Sequence, residues 1–140
     1  MAYIDTSVLV AVYCPEPLSD AAQRAVRGAG TPTISMLTEV EFCSALSLKV
    51  RTGGLDARAA TRILSLLRSH MKDGMYDLVP IGVAECALAA DWIASLSTTL
   101  RTLDALHLAA AHSHGLTLVT ADKSLAEAAD HFGVKNRCLA

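Results

Sequence analysis

Apolar and polar positions change period in a regular alternation along this chain. Four short runs, "AYID", "TPTIS", "YDLVPI" and "LTLVT", are apolar with little internal alternation and read as strands. Between them apolar residues recur at helical spacing. The spacing predicts a brief helix from Ser7, a polar-faced one around 19–27, one opened by Thr38 and running to about 51, and another over 56–72. Further helices are predicted near 83–95, from Asp104 to about Gly115, and from near Ser124, with "NRCLA" as a weak last strand. Gly53-Gly54 reads as a helix C-cap and turn, and no linker, repeat or low-complexity tract breaks the pattern. Apolar strands alternating with helices predict an α/β fold with a parallel sheet covered on both faces, a three-layer α/β/α sandwich. At 140 residues the chain is long enough to bury one core, so residues 1–140 are read as a single domain.

Composition sharpens this picture at three points. Apolar residues reach 52% while aromatics are only 4%, so the core must be built from Leu, Val, Ile and Ala. That surplus also allows an apolar surface covered by a partner or a second copy of the chain. Formal net charge is −2, which excludes coating of nucleic acid by global charge. Locally the balance differs: Lys49, Arg51, Arg58, Arg62, Arg68 and Lys72 are six of the chain's twelve basic residues, with only Asp56 against them. Such a run suits a solvated helix face and a phosphate-binding face equally.

The four cysteines, at 14, 43, 86 and 138, form no C-x-x-C pair, which argues against a zinc site or disulfide framework and for a reducing, cytoplasmic setting. The opening "MAYIDTS" lacks the basic start of a secretory leader, and the apolar run over 8–14 is too short to span a membrane. A soluble, cytoplasmic protein is expected.

The acidic residues carry the candidate chemistry. In a parallel α/β sheet every strand-to-helix loop opens at the carboxyl edge, where ligands collect. Asp5 ends the first strand, and Asp122 follows the fourth by two residues. Glu41 is read in the first turn of the helix after the second strand, and Asp104 begins the helix that precedes the fourth. Topology alone therefore brings Asp5, Glu41, Asp104 and Asp122 to one rim. Each has a local alternative that remains open. Asp5 could open an Asx turn. Glu41 could close a capping box with Thr38. Asp104 could cap its helix. Asp122 could start the turn before a Ser124-x-x-Glu127 box. Glu39 reads as an ordinary first-turn acid.

Four acids in one cleft repel unless a cation or shared protons neutralise them. Hard oxygen donors without an accompanying Cys or His pair suit Mg2+ or Mn2+, and through it phosphodiester chemistry. His107, His112 and His114 lack the i, i+4 spacing of a helical metal site and read as surface or packing residues.

Taken in order, "YIDTSVLV", "ISMLTEVEFCSAL", "LRTLDALHLAAA" and "LVTADKSL" resemble the PIN-domain ribonucleases, most of all the VapC-like toxins of bacterial toxin–antitoxin pairs. The resemblance covers essentially the whole chain. It implies a Mg2+- or Mn2+-dependent endoribonuclease whose acidic residues fall on Asp5, Glu41, Asp104 and Asp122, with Thr6, Ser7 and Thr120 as supporting hydroxyls. It also implies a homodimer, an RNA substrate and a cognate antitoxin that blocks the active-site groove. Two other readings remain. One is a haloacid-dehalogenase-type phosphatase, which wants an acid two residues after Asp5 where this chain has Ser7. The other is a PIN-like module that binds RNA or protein without catalysis, which the presence of all four acids counts against.

Overall fold

The computed structural model describes all 140 residues. Five strands, β1 (Ala2–Ile4), β2 (Thr33–Ser35), β3 (Asp77–Val79), β4 (Thr117–Thr120) and β5 (Asn136–Cys138), form one sheet in the order β3-β2-β1-β4-β5. Every neighbouring pair is parallel. Seven helices connect them: α1 (Thr6–Tyr13), α2 (Ser19–Gly28), α3 (Met36–Arg51), α4 (Ala57–Lys72), α5 (Val83–Ala94), α6 (Thr102–Ser113) and α7 (Lys123–His131). No helix is long and apolar enough to cross a membrane.

Successive strand residues point to opposite faces, and this divides the core in two. Ile4, Ile34 and Val119 pack with α1–α4 residues such as Leu9, Phe42 and Leu67. Tyr3 and Leu118 pack on the other face with Leu108, Leu125 and Ala129 of α6 and α7. The result is the three-layer arrangement read from the sequence. The Ala surplus is used where α6 is most enclosed. Ala105, Ala109, Ala110 and Ala111 are all fully buried, and Ala89 of α5 meets this stripe, so small side chains let two helices lie close together. At the end of α3, Gly53 takes φ +82, a left-handed conformation that costs a side-chain-bearing residue more than glycine.

Four helices, α1, α3, α6 and α7, start one or two residues earlier than the sequence reading, α1 at Thr6 directly after Asp5. Ser35, the last residue of β2, accepts from Leu37 N at 3.2 Å, while the Ser35 N–H donates to Thr38 Oγ1 at 3.1 Å. This Ser35–Thr38 capping box starts α3 at Met36, so Thr38 does not pair with Glu41 and Glu41 falls in the second turn. Helix α6 starts at Thr102 after Arg101, which places Asp104 inside the first turn and not at the cap. Helix α7 is capped by Asp122, which accepts from Ser124 N at 2.8 Å and Leu125 N at 3.3 Å, and not by Ser124.

Candidate active site

All four acids, Asp5, Glu41, Asp104 and Asp122, line one cavity of about 470 Å3 at the carboxyl edge of the sheet, together with Thr6 and Ser7. Val40, Leu48 and Leu103 form its apolar walls. Asp5 is brought there by β1, whose hydrogen bonding with β4 continues through Asp5 N to Val119 O at 3.0 Å. The backbone then turns directly into α1, leaving the side chain buried at the cavity floor.

What holds each carboxylate shows how the rim is built. Asp5 Oδ2 accepts from Ser7 Oγ at 2.6 Å and from Thr120 Oγ1 at 2.9 Å. These are side-chain hydroxyls, so the Asx-turn alternative does not describe it. The same two hydroxyls accept from the next loop: Ser7 Oγ from Ala121 N at 3.1 Å, and Thr120 Oγ1 from Asp122 N at 3.0 Å. Ser7 and Thr120 thereby lock the position of Asp5 to that of Asp122. Glu41 Oε1 accepts from Thr6 Oγ1 at 2.7 Å and from His107 Nε2. Each of these three acids is thus anchored by one oxygen, leaving Asp5 Oδ1, Glu41 Oε2 and Asp122 Oδ2 without a protein donor. Asp104 has no side-chain hydrogen bond at all, and it is half-buried in the same cavity.

The electrostatics agree with this crowding. Burial raises the Asp104 carboxyl above its ordinary range, and the charges of Asp5, Asp122 and Glu41 push it further. Burial would raise Glu41 as well, but the His107 hydrogen bond and charge, with Thr6, outweigh it and hold Glu41 low.

His107 is the residue that the sequence underrated. It is fully buried, a packing residue by position, yet both ring nitrogens are engaged. Tyr3 OH donates to Ser35 Oγ at 2.8 Å, so its single proton is used there. The phenol oxygen also meets His107 Nδ1 at 2.5 Å, and Nε2 faces the Glu41 carboxylate, so the ring bridges Tyr3 and Glu41. Burial opposes a charge on the ring, but the Glu41 hydrogen bond and the charge of Asp5 favour it, so the His107 pKa is raised. The available signal was its place three residues after Asp104, on the same face of one helix. His112 and His114 are exposed, as expected.

The basic stretch over 49–72 is divided. Lys49 pairs with Glu16 at 2.9 Å and Arg68 with Glu39 at 2.7 Å, whereas Arg58 and Arg62 lie exposed on α4 without an acidic partner.

The donor set fits a hard divalent cation: oxygens only, three with their carboxylates already oriented, and one carboxylate wholly free. No three acidic, His or Cys side chains are gathered tightly enough to hold an ion as they stand.

Among curated proteins none is significantly similar in sequence. Solved structures are similar in fold. FitAcB from Neisseria gonorrhoeae superposes with TM-score 0.73 at 18% identity, covering 99% of this chain and 98% of that one. DNA-bound VapBC from Salmonella typhimurium gives TM-score 0.73 at 16% identity, with 99% and 98% covered. VapC20 of Mycobacterium tuberculosis, a toxin that cleaves the sarcin-ricin loop, gives TM-score 0.69 at 16% identity, with 91% and 95% covered. The family model for the PIN domain matches residues 2–131, which include every acid of the cavity, and the chain therefore belongs to the PIN domain family.

Proposed function

We propose that this chain is a divalent-metal-dependent endoribonuclease, and the toxin of a toxin–antitoxin pair. The observation that carries the reading is the cavity itself: four carboxylates from four separate elements, each with at least one oxygen free, on one rim. Asp5, Glu41, Asp104 and Asp122 would hold Mg2+ or Mn2+. When bound, such an ion polarises a phosphate and makes water a nucleophile near neutral pH. The chain's own residues prepare the place. Ser7 and Thr120 orient Asp5, the N-terminal N–H groups of α7 orient Asp122, and Thr6 with His107 orients Glu41.

RNA as substrate and an antitoxin as partner rest on the family and on the similar structures, which include a sarcin-ricin-loop-cleaving toxin and toxin–antitoxin complexes. A homodimer is supported by the apolar surplus of the chain, 52% of its residues, part of which is open to solvent at Val83 and Leu96. Cytoplasmic residence is supported by four free cysteines.

The deciding experiment incubates the purified chain with structured RNA in Mn2+, in Mg2+ and in EDTA. Cleavage in metal that stops in EDTA is expected. RNA binding without cleavage in either metal would replace this reading by a non-catalytic PIN module. Light scattering at micromolar concentration is expected to return twice the chain mass.

A further inference from the structure

A second polar cluster lies at the opposite edge of the sheet, and the nuclease reading makes no use of it. Helix α1 starts at the acidic cavity and ends at Tyr13, about 12 Å away for eight residues. There the Tyr13 hydroxyl meets His70 Nδ1 at 2.6 Å and the Tyr76 hydroxyl at 2.7 Å. All three side chains line a cavity of about 310 Å3. Val12, Val26, Leu66 and Met75 supply its apolar walls, and Arg27 stands at its side.

Counting protons across the cluster leaves one over. Burial raises both phenols above their ordinary range, so each keeps its proton. A neutral imidazole brings a third. Two hydrogen bonds join the three groups, and each uses one proton. Neither Tyr76 OH nor His70 Nε2 has any other partner in the protein. Whichever tautomer His70 takes, one N–H or O–H donor remains with no protein acceptor. An imidazolium would leave two. Tyr76 is more than nine-tenths buried and partnered by Tyr13, whereas His70 is only half-buried, so the surplus donor belongs to the accessible, His70 side of the cluster, which lines the cavity beside Gln23. Arg27, the only Lys or Arg lining the cavity, makes no ion pair or hydrogen bond of its own.

We propose that this cavity is a binding site for a small carboxylate with an apolar body. The guanidinium fork of Arg27 matches a carboxylate in charge and in planar geometry, and the surplus donor of the phenol–imidazole cluster supplies another bond to it. The apolar body lies against Val12, Val26, Leu66 and Met75. One unpaired guanidinium, with no second Lys or Arg beside it, fits a single negative charge better than a phosphate dianion.

The test titrates the full chain with 4-phenylbutyrate, with its neutral amide and with inorganic phosphate. Binding is read by calorimetry and by the NMR shifts of the His70 ring. A saturable Kd of about 1 mM or tighter is expected for the acid, given its dozen heavy atoms. The amide and phosphate should each bind at least about tenfold more weakly, the loss appropriate to a charge-assisted hydrogen bond. Arg27→Gln, at an exposed position, should bring the acid down to the level of the amide. Leu66→Asp, also exposed, places a like charge on the wall and should abolish binding, and both variants should retain the wild-type melting temperature. No saturation by 4-phenylbutyrate at 20 mM (roughly twentyfold the expected Kd), equal binding of acid and amide, binding of phosphate as tight as the acid, or an unaltered Kd in Arg27→Gln would each overturn the proposal.

Discussion

The two ends of α1 gather polar groups in opposite ways. At its start, Asp5 joins Glu41, Asp104 and Asp122 in a cavity where His107 is the one basic side chain hydrogen-bonded to an acid. At its end, Tyr13 joins His70 and Tyr76 in a cluster of hydroxyl and ring-nitrogen groups that largely satisfy one another. The second cluster adds to stability. The first detracts from it, since a carboxyl raised above its ordinary value by burial and neighbouring charges is one whose ionised form the fold disfavours. A chain retains such an arrangement where something outside it supplies the missing positive charge.

The largest effect is expected from Asp104→Asn. Because Arg101 and not Asp104 stands at the cap of α6, the substitution leaves the start of the helix intact. Loss of an outer contact to a metal ligand commonly costs 10–100-fold in affinity or activity, so loss of a ligand should exceed about 100-fold in RNA cleavage. Thermal unfolding in EDTA should show equal or greater stability, because one charge has left a repelling group. Cleavage within a few-fold of wild type would remove Asp104 from the site.

Metal should reverse the contrast between the two ends. Mn2+ binds the folded rim and hardly the unfolded chain, so a hundredfold excess over its Kd should stabilise the protein by about 2.7 kcal/mol. Arg27→Gln should show the same gain, since its change lies at the far edge. A melting temperature indifferent to Mn2+ would sink the shared metal site.

His107→Leu tests what the acidic end owes to its one basic partner. Leu fills the buried space but leaves half-buried Glu41 with Thr6 alone, at an expected cost of about 1–3 kcal/mol in chemical denaturation without metal. No loss would mean that the pair contributes nothing net.

The smallest effect belongs to the other end. Tyr13→Phe removes the hydroxyl that joins His70 to Tyr76 and should cost about 1 kcal/mol in the same assay. A cost above that of His107→Leu would invert the comparison.

Much of this molecule is written in local pattern. Period and composition suffice for the strands and helices, because an apolar run buried on both faces and an amphipathic helix each need a recurring spacing that no tertiary contact supplies. The parallel order then follows, and with it the carboxyl edge at which Asp5 and Asp122 emerge. Helix starts were less legible, since a cap is a single hydrogen bond that competes with its neighbours. Thr38 and Ser124 both look like caps, and only the folded backbone shows that Ser35 and Asp122 hold those places. Least legible were the partners of buried polar groups. His107 lies 66 residues from Glu41 and 104 from Tyr3, and Tyr13 lies 63 from Tyr76. Nothing in a side chain's own neighbourhood states which distant donor will face it when water is excluded. The sequence alone determined which edge of the sheet would carry the acids; the tertiary structure decided which oxygen of each is held and which is left free, because hydrogen bonds inside a packed core are assigned by where whole elements come to rest.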